Sequence, residues 1–127
     1  GKLGVVPGSM GSPGFIVRGK GNAKSFNSCS HGAGRVMSRA AAFRTLKHAD
    51  MKKILKEQGI SLIGGTLDES PEVYKDINKV IDGQRDLVDV LAKFEPKLVR
   101  MAAEGNQWSN KKKKKKPENK GDEDVCM

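Results

Sequence analysis

The residues best suited to chemistry lie in Ser30-His31-Gly32-Ala33-Gly34-Arg35, with Pro7-Gly8-Ser9-Met10-Gly11 a short distance upstream. The glycines beside His31 let a backbone come close to a ligand, and Arg35 adds a permanent cation with a bidentate fork for phosphate. A neutral imidazole in that setting can act as a nucleophile toward a phosphoryl group, as a general base or as a metal ligand. The structural alternative is a histidine packed at a tight helix entry, and the hexapeptide alone leaves both open.

From Gly1 to Ala49 every charge is positive: Lys2, Arg18, Lys20, Lys24, Arg35, Arg39, Arg44 and Lys47 face no Asp or Glu in that stretch. A local field of one sign attracts phosphates and nucleic acid, although a solvated basic face has the same composition.

The elements that must position these groups follow from spacing. Leu3 to Val6 and Phe15 to Val17 are apolar runs bounded by Gly and Pro, which predicts two buried strands joined by a Gly-rich loop. Val36, Ala40 and Phe43 recur at helical spacing, so a helix is expected to begin at the histidine motif and to offer its free N–H groups to an anion. A second helix is expected from about Ala49 to Gln58, with Met51, Ile54 and Leu55 as its apolar stripe and Gly59 as its stop. Ile60 to Ile63 reads as a strand. Ser70-Pro71-Glu72 reads as a helix start, continued by Val73, Ile77, Val80 and Ile81. Val88, Val90, Ala92 and Phe94 alternate, and Leu98-Val99 follows Pro96, predicting two closing strands, with a helix through Leu91 as the alternative.

At 127 residues, 36% of them hydrophobic, the chain has room for one modest domain with a small core. It opens inside an apolar run with no initiating Met, which suggests a fragment or processed piece. The formal charge is +9, and the segment from Lys111 to Met127 carries +3 of it. That segment is too charged and too poor in apolar side chains to offset its ordering entropy, so residues 106–127 are expected to be a disordered lysine-rich tail. Nuclear import, an RNA-binding arm and plain solvation are its three readings.

Several site types are excluded on chemistry. Cys29 and Cys126 are the only cysteines and lie far apart, so a disulfide framework or zinc module is not expected. Neither a signal peptide nor an apolar run of membrane-spanning length is visible, and the chain reads as soluble and intracellular. Gly14 to Lys20 has phosphate-loop spacing, but Gly21 replaces the hydroxyl that would hold Mg²⁺. Pro7 stands where a nucleophile elbow needs Gly. His48, between two expected helices, reads as a surface or capping residue.

Three blocks carry a family resemblance: Gly4-Val5-Val6-Pro7-Gly8-Ser9-Met10-Gly11, the run Phe26 to Ser38 around His31, and Pro71-Glu72-Val73-Tyr74-Lys75-Asp76-Ile77. In order and spacing they resemble the C-terminal part of RtcB, the GTP-dependent RNA ligase, over about Gly1 to Met101. The resemblance implies an α+β fold, with residues 1–105 as the C-terminal part of a catalytic domain. It implies that His31 attacks the α-phosphate of GTP, that the guanylyl group passes to an RNA 3′-phosphate derived from a 2′,3′-cyclic phosphate end, and that a 5′-hydroxyl then displaces GMP. Pro7, Gly8, Ser9 and Met10 match the family's nucleotide-contact loop. Gly32, Ala33 and Gly34 match the backbone around the nucleotide phosphate, with Arg35 as the adjoining cation and Tyr74 near the guanine pocket. The implied partners are GTP and RNA, either tRNA halves or broken RNA, with an accessory activating protein left open. The implied location is the cytoplasm, with the nucleus as a second.

The chain also departs from the family. Gly14 stands where members usually carry Ser, and Val99-Arg100-Met101-Ala102 replaces a closing Lys-Gly pair whose lysine recognises guanine. The Mn²⁺ ligands of the family lie N-terminal to the region matched, so no metal ligand is assigned in this chain. A noncatalytic basic RNA-binding fragment and a histidine phosphotransfer protein remain as alternatives.

Overall fold

The structure is a computed structural model that describes residues 1–102. The expected tail, 106–127, lies outside the described residues. The elements in chain order are β1 (Leu3–Val6), β2 (Gly14–Gly19), α1 (Arg39–Thr45), α2 (His48–Glu57), β3 (Ser61–Ile63), α3 (Ile77–Asp82), β4 (Val88–Phe94) and β5 (Leu98–Arg100). Single 3-10 turns occur at Ala23–Ser25, Leu67–Glu69 and Pro71–Val73.

The two apolar runs near the start form an antiparallel pair with Val5 opposite Ile16 and Val6 opposite Phe15. Alternation along a strand then buries Val6, Phe15 and Val17 and leaves Leu3, Val5 and Ile16 exposed. β4 pairs with the other edge of β2, giving a three-stranded antiparallel sheet in the order β1-β2-β4, with a register shift between Ile16 and Val17. β3 and β5 form a separate parallel pair.

Two apolar clusters hold these layers together. The first joins Val6, Phe15, Val17 and Val88 of the sheet to Ile77 and Ile81 of α3 and to Ala33 from the histidine loop. The second joins Met51 and Leu55 of α2 to Met10 and Ile60, with Leu62, Val99 and Met101 packed against it. The mixed α+β class and the strands read from the sequence are present, and so is α2, which ends on Gly59 at φ 69°.

Three local readings are corrected. The helix after the histidine motif starts eight residues beyond His31, at Arg39, where the Ser38 hydroxyl caps it by accepting from the Ala41 N–H at 3.1 Å. Val36 lies in a bend and is exposed, and the residue that α1 buries is Ala42, not Val36, Ala40 or Phe43. The helix expected from Pro71 through Ile81 is divided: the Pro71–Val73 turn stops at Tyr74, which is extended, and α3 restarts where the Asp76 carboxylate accepts from the Asn78 N–H at 2.9 Å. In β4 only Val88 reaches the core, while Val90 and Phe94 stay exposed.

The Phe94 ring lies over Gly14, its register partner, where a Cβ would run into the ring. Gly14 is therefore the residue that lets Phe94 fold down on the sheet. Gly14→Ser should cost only about 1 kcal/mol of stability, the low end for overpacking, because the half-exposed Phe94 ring can swing aside. Adding Phe94→Ala should remove most of that penalty, as read from urea unfolding of the two single variants and the double variant.

Candidate functional site

The loop after β1 is strung between the two cores. Val6 at its start and Phe15 just past its end lie in the first, while Met10 midway reaches into the second. Gly8 is required in between, since a Cβ there would come 2.5 Å from the Pro13 carbonyl oxygen. Ser9 stabilises the turn itself: its hydroxyl meets that of Ser12 at 2.8 Å and accepts from the Gly11 N–H at 3.2 Å. Met10 is buried as a whole residue.

The histidine loop packs against this turn. A Cβ on Gly32 would sit 3.4 Å from the Pro7 carbonyl oxygen, so the two loops touch. Ala33 plugs into the first core, and the Ser30 N–H donates to Gln84 Oε1 at 2.9 Å. His31, between these two anchors, is exposed. Beyond it Gly34 turns at φ 75° and the chain joins the segment around Tyr74. Lys75 N–H donates to the Gly34 carbonyl at 3.0 Å, Val36 N–H donates to the Val73 carbonyl at 2.7 Å, and Arg35 and Tyr74 form an antiparallel bridge.

Side chains extend that joint into a polar network. The Arg35 guanidinium lies 5.4 Å from the Tyr74 ring centroid, a cation–π distance, and donates from Nε to the Met37 carbonyl at 3.2 Å. Tyr74 donates its hydroxyl to Glu69 Oε2 at 2.5 Å. Burial, with help from the Glu69 carboxylate, raises the Tyr74 pKa, so the phenol stays protonated as a donor. Arg39 donates to Asp68 and, at 2.7 Å, to Glu69. Burial works to raise the Asp68 carboxyl, but the Thr66 hydroxyl and the Arg39 guanidinium outweigh it and hold Asp68 below its ordinary value. Those two carboxylates raise Arg39 in turn, the Glu69 hydrogen bond most of all.

The structure thus brings together Pro7, Gly32, His31's loop, Arg35 and Tyr74, but not as the sequence implied. His31 does not sit at a helix N-terminus. The uniformly positive field is also partly neutralised, because Arg39 is held by Asp68 and Glu69, Arg35 lies 3.9 Å from Glu69, and Lys20 lies 3.4 Å from Asp89. Arg100 stands on β5 opposite Ile63, with its neighbours Val99 and Met101 on the second core, while Tyr74 packs on the first. Gln84, Asp68 and Glu69 were not read as site residues. The carboxylate pair beside so basic a segment was an available signal, whereas Gln84 had none. Two donors, Arg35 Nη2 and Gln84 Nε2, are buried without a hydrogen-bond partner among the described residues. Among the described residues no three His, Cys, Asp or Glu stand together to hold a metal ion.

A depressed folded-state carboxyl contributes stability that is present above its unfolded pKa of about 4 and is lost as the pH falls through the folded value. Heat scans should therefore show the midpoint falling on acidification below about pH 4, with a shallower fall in Arg39→Ala, where the lowered Asp68 value relaxes.

The family described as tRNA-splicing ligase RtcB matches residues 1–102. The RNA-splicing ligase RtcB of Escherichia coli K12 is 47% identical over 91 residues, covering 72% of this chain and 22% of that protein. The tRNA-splicing ligase RtcB of Nanoarchaeum equitans is 36% identical over 103 residues, covering 75% and 22%. That of Archaeoglobus fulgidus is 44% identical over 84 residues, covering 61% and 17%. The chain spans about a fifth of the length of these curated relatives.

Proposed function

The chain belongs to the tRNA-splicing ligase RtcB family, and we propose that its residues 1–105 supply the histidine-bearing part of an RNA-ligase active site, joining RNA 2′,3′-cyclic phosphate or 3′-phosphate ends to 5′-hydroxyl ends in tRNA splicing or RNA repair. The observation that carries the reading is the exposure of His31 on a loop fixed on both sides, by the Ser30 to Gln84 hydrogen bond and by buried Ala33, with Arg35 four residues on.

In this reading a neutral His31 nitrogen attacks the α-phosphate of GTP. An N–P bond forms, the P–O bond to pyrophosphate breaks, and the imidazole loses its proton to solvent. His31 then passes the guanylyl group to an oxygen of the RNA 3′-phosphate, and the 5′-hydroxyl of the second RNA attacks that activated phosphate, expelling GMP. Backbone groups of Pro7, Gly8, Ser9 and Met10 and of Gly32, Ala33 and Gly34 line the nucleotide, Arg35 faces its phosphates, and Tyr74 lies toward the base. The anchoring that Ala33 and Gln84 give the loop lowers the entropy cost of placing the imidazole for in-line attack. Mn²⁺ is expected on residues outside this chain: the described residues present no donor set that fits it, so no step is assigned to it. A cytoplasmic location belongs to the same proposal; no helix among the described residues is long and apolar enough to cross a membrane.

The isolated chain should not ligate RNA, even with GTP and Mn²⁺ supplied. In a full-length RtcB polypeptide carrying this segment, His31→Ala should abolish formation of an acid-labile GMP adduct and ligation of 3′-phosphate ends. RNA already bearing GMP at its 3′ end should still be joined, and circular dichroism should match the parent. An adduct that persists in folded His31→Ala would show that another residue is the nucleophile.

A further inference from the structure

The second core closes under a cavity of about 880 Å³ that the histidine loop does not share. One wall is α2. His48, Lys52 and Lys56 recur on it at four-residue spacing, which stacks them along one side of the helix, each about 6 Å from the next along its axis. The acidic residues of α2, Asp50 and Glu57, fall on its other side, where Glu57 lies 4.0 Å from Lys53. Lys52 and Lys56 are exposed and have no carboxylate partner among the described residues. The residue that caps α2, Lys47, makes no side-chain cap hydrogen bond.

The facing wall is nearly free of side chains. Gly59, Gly64 and Gly65 all have positive φ, and nothing lies within 4 Å of where a Gly59 Cβ would be. Backbone at Gly59 can be approached closely by a bulky ligand, while Gly64 faces the Met101 carbonyl and Gly65 the Leu62 side chain. Between the walls, Leu55 and Leu62 give an apolar floor and Ser61 a hydroxyl. Unpaired lysines along one side, an apolar floor and a cavity far larger than one phosphate suit a polyanion whose sugars and bases are apolar on their faces.

We propose that this groove binds the phosphate backbone of single-stranded RNA, with Lys52 and Lys56 each contacting a phosphate. The identity of the polyanion rests on the ligase reading above; the groove itself uses none of the residues placed around His31. It would hold a stretch of substrate away from the reacting end, adding affinity without entering the chemistry.

Fluorescence anisotropy of the 127-residue chain with a short labelled single-stranded RNA tests this without GTP or metal. Lys52→Ala/Lys56→Ala should weaken binding on the order of tenfold at low salt and reduce the slope of log K against log salt by about 1.4, the value for two lost phosphate contacts on a single strand. Lys53→Ala/Lys79→Ala removes the same charge from other surfaces and should leave the slope unchanged. Lys52→Arg/Lys56→Arg should retain binding. Equal losses in the two alanine pairs, an unchanged slope in the first pair, or no RNA binding by the parent chain would overturn the proposal. His31→Ala should bind RNA like the parent, so a failed guanylylation reading and a failed groove are told apart.

Discussion

The joint between Arg35 and Tyr74 is the constraint on which the site depends. Three backbone connections, at Gly34, Arg35 and Val36, tie the end of the histidine loop to Val73, Tyr74 and Lys75, nearly forty residues later in the chain. An extended bridge and a helical start are incompatible conformations for the same residues. Once the bridge forms, the helix must wait until Ser38, and the turn at Pro71 cannot run on into α3. Both departures from the expected helices therefore have one cause. The positive φ of Gly34 turns the chain just ahead of that bridge.

The joint also decides where charge resides. Asp68 and Glu69 arrive beside it because the Leu67–Glu69 turn precedes Tyr74, and they take Arg39 and the edge of Arg35 as partners. Tyr74 links the two halves, stacked under Arg35 while donating to Glu69. A guanidinium held in this way is oriented before any ligand arrives, which reduces the freedom lost on binding. The same arrangement lowers the field that the linear run of basic residues implied.

Met10 and Val6 show how two small cores serve one loop. Each cluster is modest, and neither contains the histidine, yet the turn between β1 and β2 has its ends in the first and its middle in the second. Ala33 adds a third anchor from the histidine loop. Small residues suit these places because two loops must come within contact distance of each other, as Gly32 does with Pro7. The functional loops are thus irregular in backbone but fixed in position, the usual division between a mobile-looking sequence and a rigid scaffold.

The sequence by itself determined the α+β class, the strands at Leu3–Val6 and around Phe15–Val17, the α2 stripe of Met51 and Leu55 with its stop at Gly59, and the three motif blocks of the family. Those features are local: alternation, helical spacing and glycine stops act over a few residues. Tertiary structure alone decided that Arg35 would bridge to Tyr74, that Ala42 rather than Val36 would be buried, that Asp68 and Glu69 would neutralise Arg39, and that Gln84 would hold Ser30. Each of these depends on a partner that sequence distance hides. A backbone bridge or a buried carboxamide contact outweighs the weak helical preference of the segment it captures, because helical propensity amounts to at most about 1 kcal/mol per ordinary residue.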